Sequence, residues 1–179
     1  RWQGHQVFIF PPPRTALSCR LAMTDSCPHP LSRQLLQLIL DDRTSDRFVC
    51  ELIWQRLGYA PADGLEDGPA PWRATAATPS DWALAYPLAP ALIAERPPSV
   101  RLTRSIAAAH KQLLKQQLGF AGYRIGELFP RRTRRATAVN WLLADLAQRS
   151  EPLPESGPLP PLLDPPADPA TGHPIDRSC

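Results

Sequence analysis

Four arginines, Arg131, Arg132, Arg134 and Arg135, fall within five positions. They open a segment in which Val139, Leu142, Leu143 and Leu146 recur at spacings of three and four, with Trp141 beside them, so the pattern predicts a helix over residues 131–148. The first turn of a helix carries the positive pole of the macrodipole, and a helix built for stability alone would place Asp or Glu there. Four cations in that turn oppose the dipole and one another. A bound anion relieves the conflict, because free N–H groups and arginine forks both suit carboxylate or phosphate. An anion-binding or partner-binding site made of Arg131, Arg132, Arg134 and Arg135, joined by Arg124, Lys111 and Lys115, is the functional expectation. Two other readings stay open. The helix can start later, with Thr133 as its N-cap, or the arginines can pair inside the fold with Asp41, Asp42 or Glu51.

No other grouping of residues makes a chemical signature. Gly119-Phe120-Ala121-Gly122 with Gly126 fits neither a dinucleotide-binding nor a P-loop pattern. His110 stands beside Lys111 with no carboxylate near it in sequence, and Asp41-Asp42 reads as a helix end rather than a catalytic pair. Cys19, Cys27, Cys50 and Cys179 show neither Cys-x-x-Cys spacing nor a histidine placed to suggest a zinc site. Trp72, Trp82 and Tyr86 fit anchoring of a loop or core better than ligand binding. The expectation is therefore a protein without catalytic residues, metal or cofactor.

Charge is distributed unevenly. The net charge is only +3 over 179 residues, but residues 96–135 carry ten cationic side chains against Glu127 alone. Residues 23–95 and 136–179 are net acidic. A basic block of this kind draws an anionic partner unless it folds back on the acidic half. An acidic protein surface is the leading partner. RNA or DNA is the alternative, weakened because no aromatic residues interleave the basic run as stacking platforms.

The elements that position these residues follow from periodicity and punctuation. Leu31–Asp42 reads as a helix with Ser32 as N-cap, and Ser45–Leu57 as a second helix capped by Ser45 and closed by Gly58. A short turn, Asp41-Asp42-Arg43-Thr44, joins them into an αα-hairpin. Residues 59–80 read as a long loop. Pro97-Pro98 reads as the end of a broken helical stretch over residues 80–96. Alternation at Val100, Leu102, Arg104 and Ile106 predicts a short strand over 100–106, and a second is expected around 123–128. Between them Ala107–Leu118 reads as a helix stopped by Gly119. The fold class is thus mainly α: four or so helices, with a small α+β element around those two strands.

The chain's 23 prolines crowd its ends, which leaves one globular domain over residues 30–149. Residues 23–29 and the acidic tail 150–179 are expected to be disordered. Met23 is the sole methionine, so residues 1–22 are expected to be a non-native or mis-annotated extension. No apolar run approaches the ~20 residues of a membrane-spanning helix, so membrane insertion is not expected. The cysteine pattern favours a reducing compartment. Oligomeric state leaves no mark in the sequence.

The run from Leu102 to Leu146, with PRRTRRATAVNWLL as its most specific part, resembles the C-terminal half of a cyanobacterial and plastid family called domain of unknown function 1823. ELIWQRLGY, Glu51 to Tyr59, resembles its N-terminal half. The resemblance spans about residues 31–146. It implies a cytoplasmic or stromal protein of an oxygenic phototroph, and it implies no reaction.

Overall fold

The structure, a computed structural model, describes residues 27–62 and 69–178. The expectations about residues 1–22 and the start at Met23 lie outside the described residues.

The αα-hairpin forms as its caps dictate. Helix α1 spans Arg33–Leu40 and α2 spans Asp46–Arg56. Ser32 Oγ accepts from the Leu35 amide and Ser45 Oγ from the Phe48 amide, which satisfies one otherwise unpaired N–H of each first turn. Leu35, Leu36, Ile39 and Leu40 of α1 and Val49, Leu52, Ile53 and Trp54 of α2 enter the same core. Gly58 follows α2 at φ 78°, where a Cβ would lie 2.7 Å from the Ala77 carbonyl carbon, so position and conformation both require glycine.

The long loop carries more structure than its composition suggests. Tyr59–Pro61 (β1) and Trp72–Ala74 (β2) pair antiparallel, with Tyr59 opposite Ala74. Trp72 leans on Trp54, whose Nε1 donates to the Pro90 carbonyl. Trp82, on α3 (Ser80–Ala85), is buried, and the Tyr59 hydroxyl donates to the Tyr86 carbonyl at 2.8 Å.

Two expected strands are absent. Residues 96–105 form helix α4, Arg96–Ser105, rather than a strand. Pro97 and Pro98 start this helix instead of ending the previous stretch, because the first turn has no use for their missing N–H groups. The residues buried here are Pro98, Ser99, Leu102 and Ile106, a spacing of three and four that the alternation of Val100, Leu102, Arg104 and Ile106 had masked. Near 123–128 the chain makes a 3-10 turn, Ile125–Glu127, and Ile125 is 98% exposed. The sheet character of this mainly α fold thus sits at residues 59–61 and 72–74.

The helix expected over Ala107–Leu118 divides into a 3-10 turn, Ala108–His110, and α5, Leu113–Leu118, closed by Gly119 at φ 64°. Helix α6, Pro130–Gln148, is the centre of the domain, and α1, α2, α4 and α5 all pack on it. Its alanines, Ala136, Ala138 and Ala144, let neighbours approach closely, while Val139, Trp141, Leu142, Leu143 and Leu146 fill the core between them.

The ends also differ from expectation. His29 is tied down, its amide donating to Gln55 Oε1 and its carbonyl accepting from Arg56. The tail beyond Arg149 runs over the αα-hairpin without regular structure as far as a closing 3-10 turn, Pro174–Ser178, with Leu153 and Leu159 packed against the core. Backbone hydrogen bonds to helix termini hold it there, so scarcity of apolar residues did not leave it without partners.

Candidate functional site

Helix α6 begins at Pro130 with Phe129 as N-cap, so Thr133 does not cap it. The conflict between its first-turn arginines and the dipole is resolved inside the chain. Arg131 and Arg135, four apart, lie on one face and point at the turn between α1 and α2. Arg131 Nη1 and Nη2 grip Asp42 at 2.7 and 2.9 Å, while Nε and Nη2 grip Asp46 at 2.6 and 2.7 Å. Arg135 donates from Nη1 to Asp46 at 2.5 Å, from Nη2 to the Thr44 hydroxyl and carbonyl, and from Nε to the Ile39 carbonyl. Arg131 is 5% exposed and Arg135 is 0% exposed. Burial alone would lower the Arg131 pKa. The hydrogen bonds to Asp42 and Asp46 outweigh it and hold the guanidinium above its ordinary value.

Asp42 reaches this position through a left-handed backbone, φ 60°, a conformation that Asp tolerates better than most residues. Asp41, one position earlier, stays exposed and accepts from Gln37, while Glu51 pairs with Arg47. Of the three carboxylates considered from sequence, only Asp42 meets the arginines. Asp46 was missed because an acid in the first turn of α2 already has a local explanation in the dipole. The available signal was spacing: Asp42 and Asp46 are four apart, as are Arg131 and Arg135.

The other two arginines are also engaged. The Arg132 guanidinium lies 4.3 Å from the centroid of the Tyr123 ring, and Arg134 Nη1 donates to the Ile93 and Ala94 carbonyls at 2.9 and 3.1 Å. The anion-binding set expected from sequence therefore splits. Arg131 and Arg135 are interior ion-pair residues and not part of a cationic surface. Arg132 and Arg134 are half-buried. Arg124, Lys111 and Lys115 are exposed.

Lys111 and Lys115 come together at a groove. It has a volume of about 510 Å³, with Ile106, Leu114, Phe120 and Ala136 among its apolar lining residues. A second groove of about 580 Å³ is lined by Arg96, Arg134, Val100 and Leu128. The two share Thr103, Thr133 and Thr137, so they form one channel between α4 and α6. Arg124 lines neither part. Leu128 is 62% exposed at the edge. No described carboxylate forms an ion pair with Lys111 or Lys115.

On the far side of Arg134 lies a third cleft of about 420 Å³, with Cys50, Trp54, Arg131 and Asp176 in its walls. Burial pushes the Cys50 thiol up to about 12, so it stays neutral and is a poor nucleophile at neutral pH. Among the described residues no group of three or more His, Cys, Asp or Glu side chains is placed to hold a metal ion. No described helix is long and apolar enough to cross a membrane.

A helical domain closed around a buried arginine–aspartate cluster, with a cationic groove on another face, is the class that these features define. The chain belongs to the family described as domain of unknown function (DUF1823), whose model matches residues 30–147. A solution NMR structure of a protein 47% identical in sequence has a TM-score of 0.56 and matches 68% of this chain and 97% of its own. No curated protein matches the chain.

Proposed function

We propose that the domain is a non-catalytic binding module that docks an acidic protein segment in the channel between α4 and α6. One observation carries this reading. Among the described residues Lys111 and Lys115 have no ion-pair partner, and they stand over an apolar-lined groove that continues past Arg96 and Arg134. Apolar lining supplies area and unpaired rim cations supply charge complementarity, which together suit a segment carrying both apolar and acidic side chains. Cys27 and Cys50 are free thiols, which supports a reducing compartment such as the cytosol or stroma.

Nucleic acid is the less favoured occupant of the same groove. Its nearby aromatic rings are already used: Phe120 packs edge-on against Tyr123, and Tyr123 lies under Arg132. Both rings are thus engaged within the chain, which counts against their use as stacking platforms. The test compares the wild-type chain with Lys111→Glu/Lys115→Glu, titrating each with an acidic amphipathic peptide and with single-stranded RNA across a salt series. Peptide binding that drops at least about tenfold in the double variant, with RNA no better than the peptide, is expected. Tight RNA binding with a steep salt slope would replace the protein partner by nucleic acid. Peptide affinity indifferent to the charge reversals would remove the groove as the site.

A further inference from the structure

The tail from Pro152 onward contributes no residue to the buried hydrophobic cluster. Every buried hydrophobic residue of the core lies between Leu31 and Leu146, and the matched family domain ends at residue 147. Among the described residues of the tail, Leu153 and Leu159 pack, half-buried, against that core. What holds the tail is mostly polar, and it repeats a pattern. In each helix of the hairpin a serine cap satisfies the third amide and leaves the first two. The tail takes those two in both helices. Arg33 and Gln34 donate to the Pro154 and Glu155 carbonyls at 2.8 and 3.0 Å. Asp46 and Arg47 donate to Asp176 Oδ1 at 2.7 and 3.3 Å. Between these points Leu163 and Arg43 bond backbone to backbone, and Arg43 Nε also donates to the Leu163 carbonyl.

The tail also meets the buried arginine. Asp176 Oδ2 lies 3.8 Å from Arg131 Nη2, and Gly172, at φ 79°, passes so close that a Cβ would sit 2.5 Å from Arg131 Nε. Arg131 and Arg135 are already balanced by Asp42 and Asp46, so the cluster does not need the third carboxylate for neutrality. Asp176 is an added acceptor, held by the α2 amides and that guanidinium.

We infer that the N-termini of α1 and α2, with Arg131, form a recognition site for a proline-rich acidic segment, extended where it crosses α1 and turned where Asp176 meets α2, which the chain's own tail occupies as a tethered ligand. This site is separate from the α4–α6 channel and does not depend on it. Extended segments rich in proline lose little conformational freedom on binding, and a charged acceptor on a helix N-terminus makes the stronger class of hydrogen bond.

The test keeps the whole chain. A protease site is inserted between the exposed Glu151 and Pro152, the chain is cut, and tail association is followed by gel filtration and by fluorescence of a labelled tail. Amide spectra report whether the domain stays folded. The expected result is a domain that remains folded and rebinds the tail reversibly. Asp176→Asn and Gly172→Ala should each weaken rebinding about tenfold or more, while Glu155→Gln, whose pairing with Arg33 is solvent-exposed, changes it less than about threefold. Unfolding of the domain when the tail leaves would overturn the inference, because the tail would then belong to the core. Loss of all measurable rebinding after cutting would overturn it too, as would an affinity unmoved by Asp176→Asn.

Discussion

Arg131 and Arg135 on one side of α6, and Lys111 and Lys115 beside its other flank, come from the same basic block of sequence and end in opposite states. The arginines are enclosed, and each guanidinium donates to described acceptors through all three of its nitrogens. The lysines stand in solvent with no ion-pair partner among the described residues. A charge answered inside the chain is bound to stability, because removing its partner leaves a buried charge exposed to the full cost of desolvation. A charge left unanswered costs the fold little and stays available to something outside it.

The sharpest way to break this contrast is to remove a carboxylate from the interior cluster. Asp46→Ala takes from both Arg131 and Arg135 one of the two carboxylates that balance them and should cost about 3–5 kcal/mol in denaturant unfolding. Asp42→Ala should cost a similar amount, since it too faces both arginines. A loss below about 1 kcal/mol would mean that the cluster is not closed to solvent. Next is the cap that starts α1. Ser32→Ala removes the acceptor of the Leu35 amide and should cost about 1 kcal/mol by the same measurement.

The pH dependence sharpens the interior side. The Cys50 pKa is raised in the folded state, so its contribution to stability is fully present below the unfolded value near 9. It is lost as pH rises towards the folded value of about 12. Wild-type stability should therefore fall above about pH 9 more steeply than that of Cys50→Ala, by up to about 1.4 kcal/mol per pH unit. Parallel curves for the two proteins would sink this account. The smallest effect belongs to the groove. Lys111→Glu/Lys115→Glu should leave stability within about 0.5 kcal/mol of wild type, because neither lysine is buried. A larger loss would show that the lysines belong to the interior scheme after all.

The two regions were not equally legible. The serine caps, the hairpin, the glycine stops after α2 and α5 and the amphipathic course of α6 all rest on rules that act within one or two turns, so the sequence displays them directly. Helix α4 was misread because an alternating apolar pattern and a helical one share positions over so short a stretch, and Pro97-Pro98 was read as a stop when it stands at a start. The hairpin of β1 and β2 was missed because strands of three residues are too short to show a period.

By itself the sequence determined that this is a mainly helical domain and that its basic block contains a conflict at the head of α6. It left open whether an external anion or an internal carboxylate answers that conflict, and only the tertiary structure decided. Asp42 and Asp46 lie 89 and 85 residues before Arg131, and no local pattern encodes a contact at that range. Packing α1 and α2 against α6 brings the hairpin turn to the helix start. In that low-dielectric setting a buried charge must find its partner at hydrogen-bond distance, so the fold had to supply one.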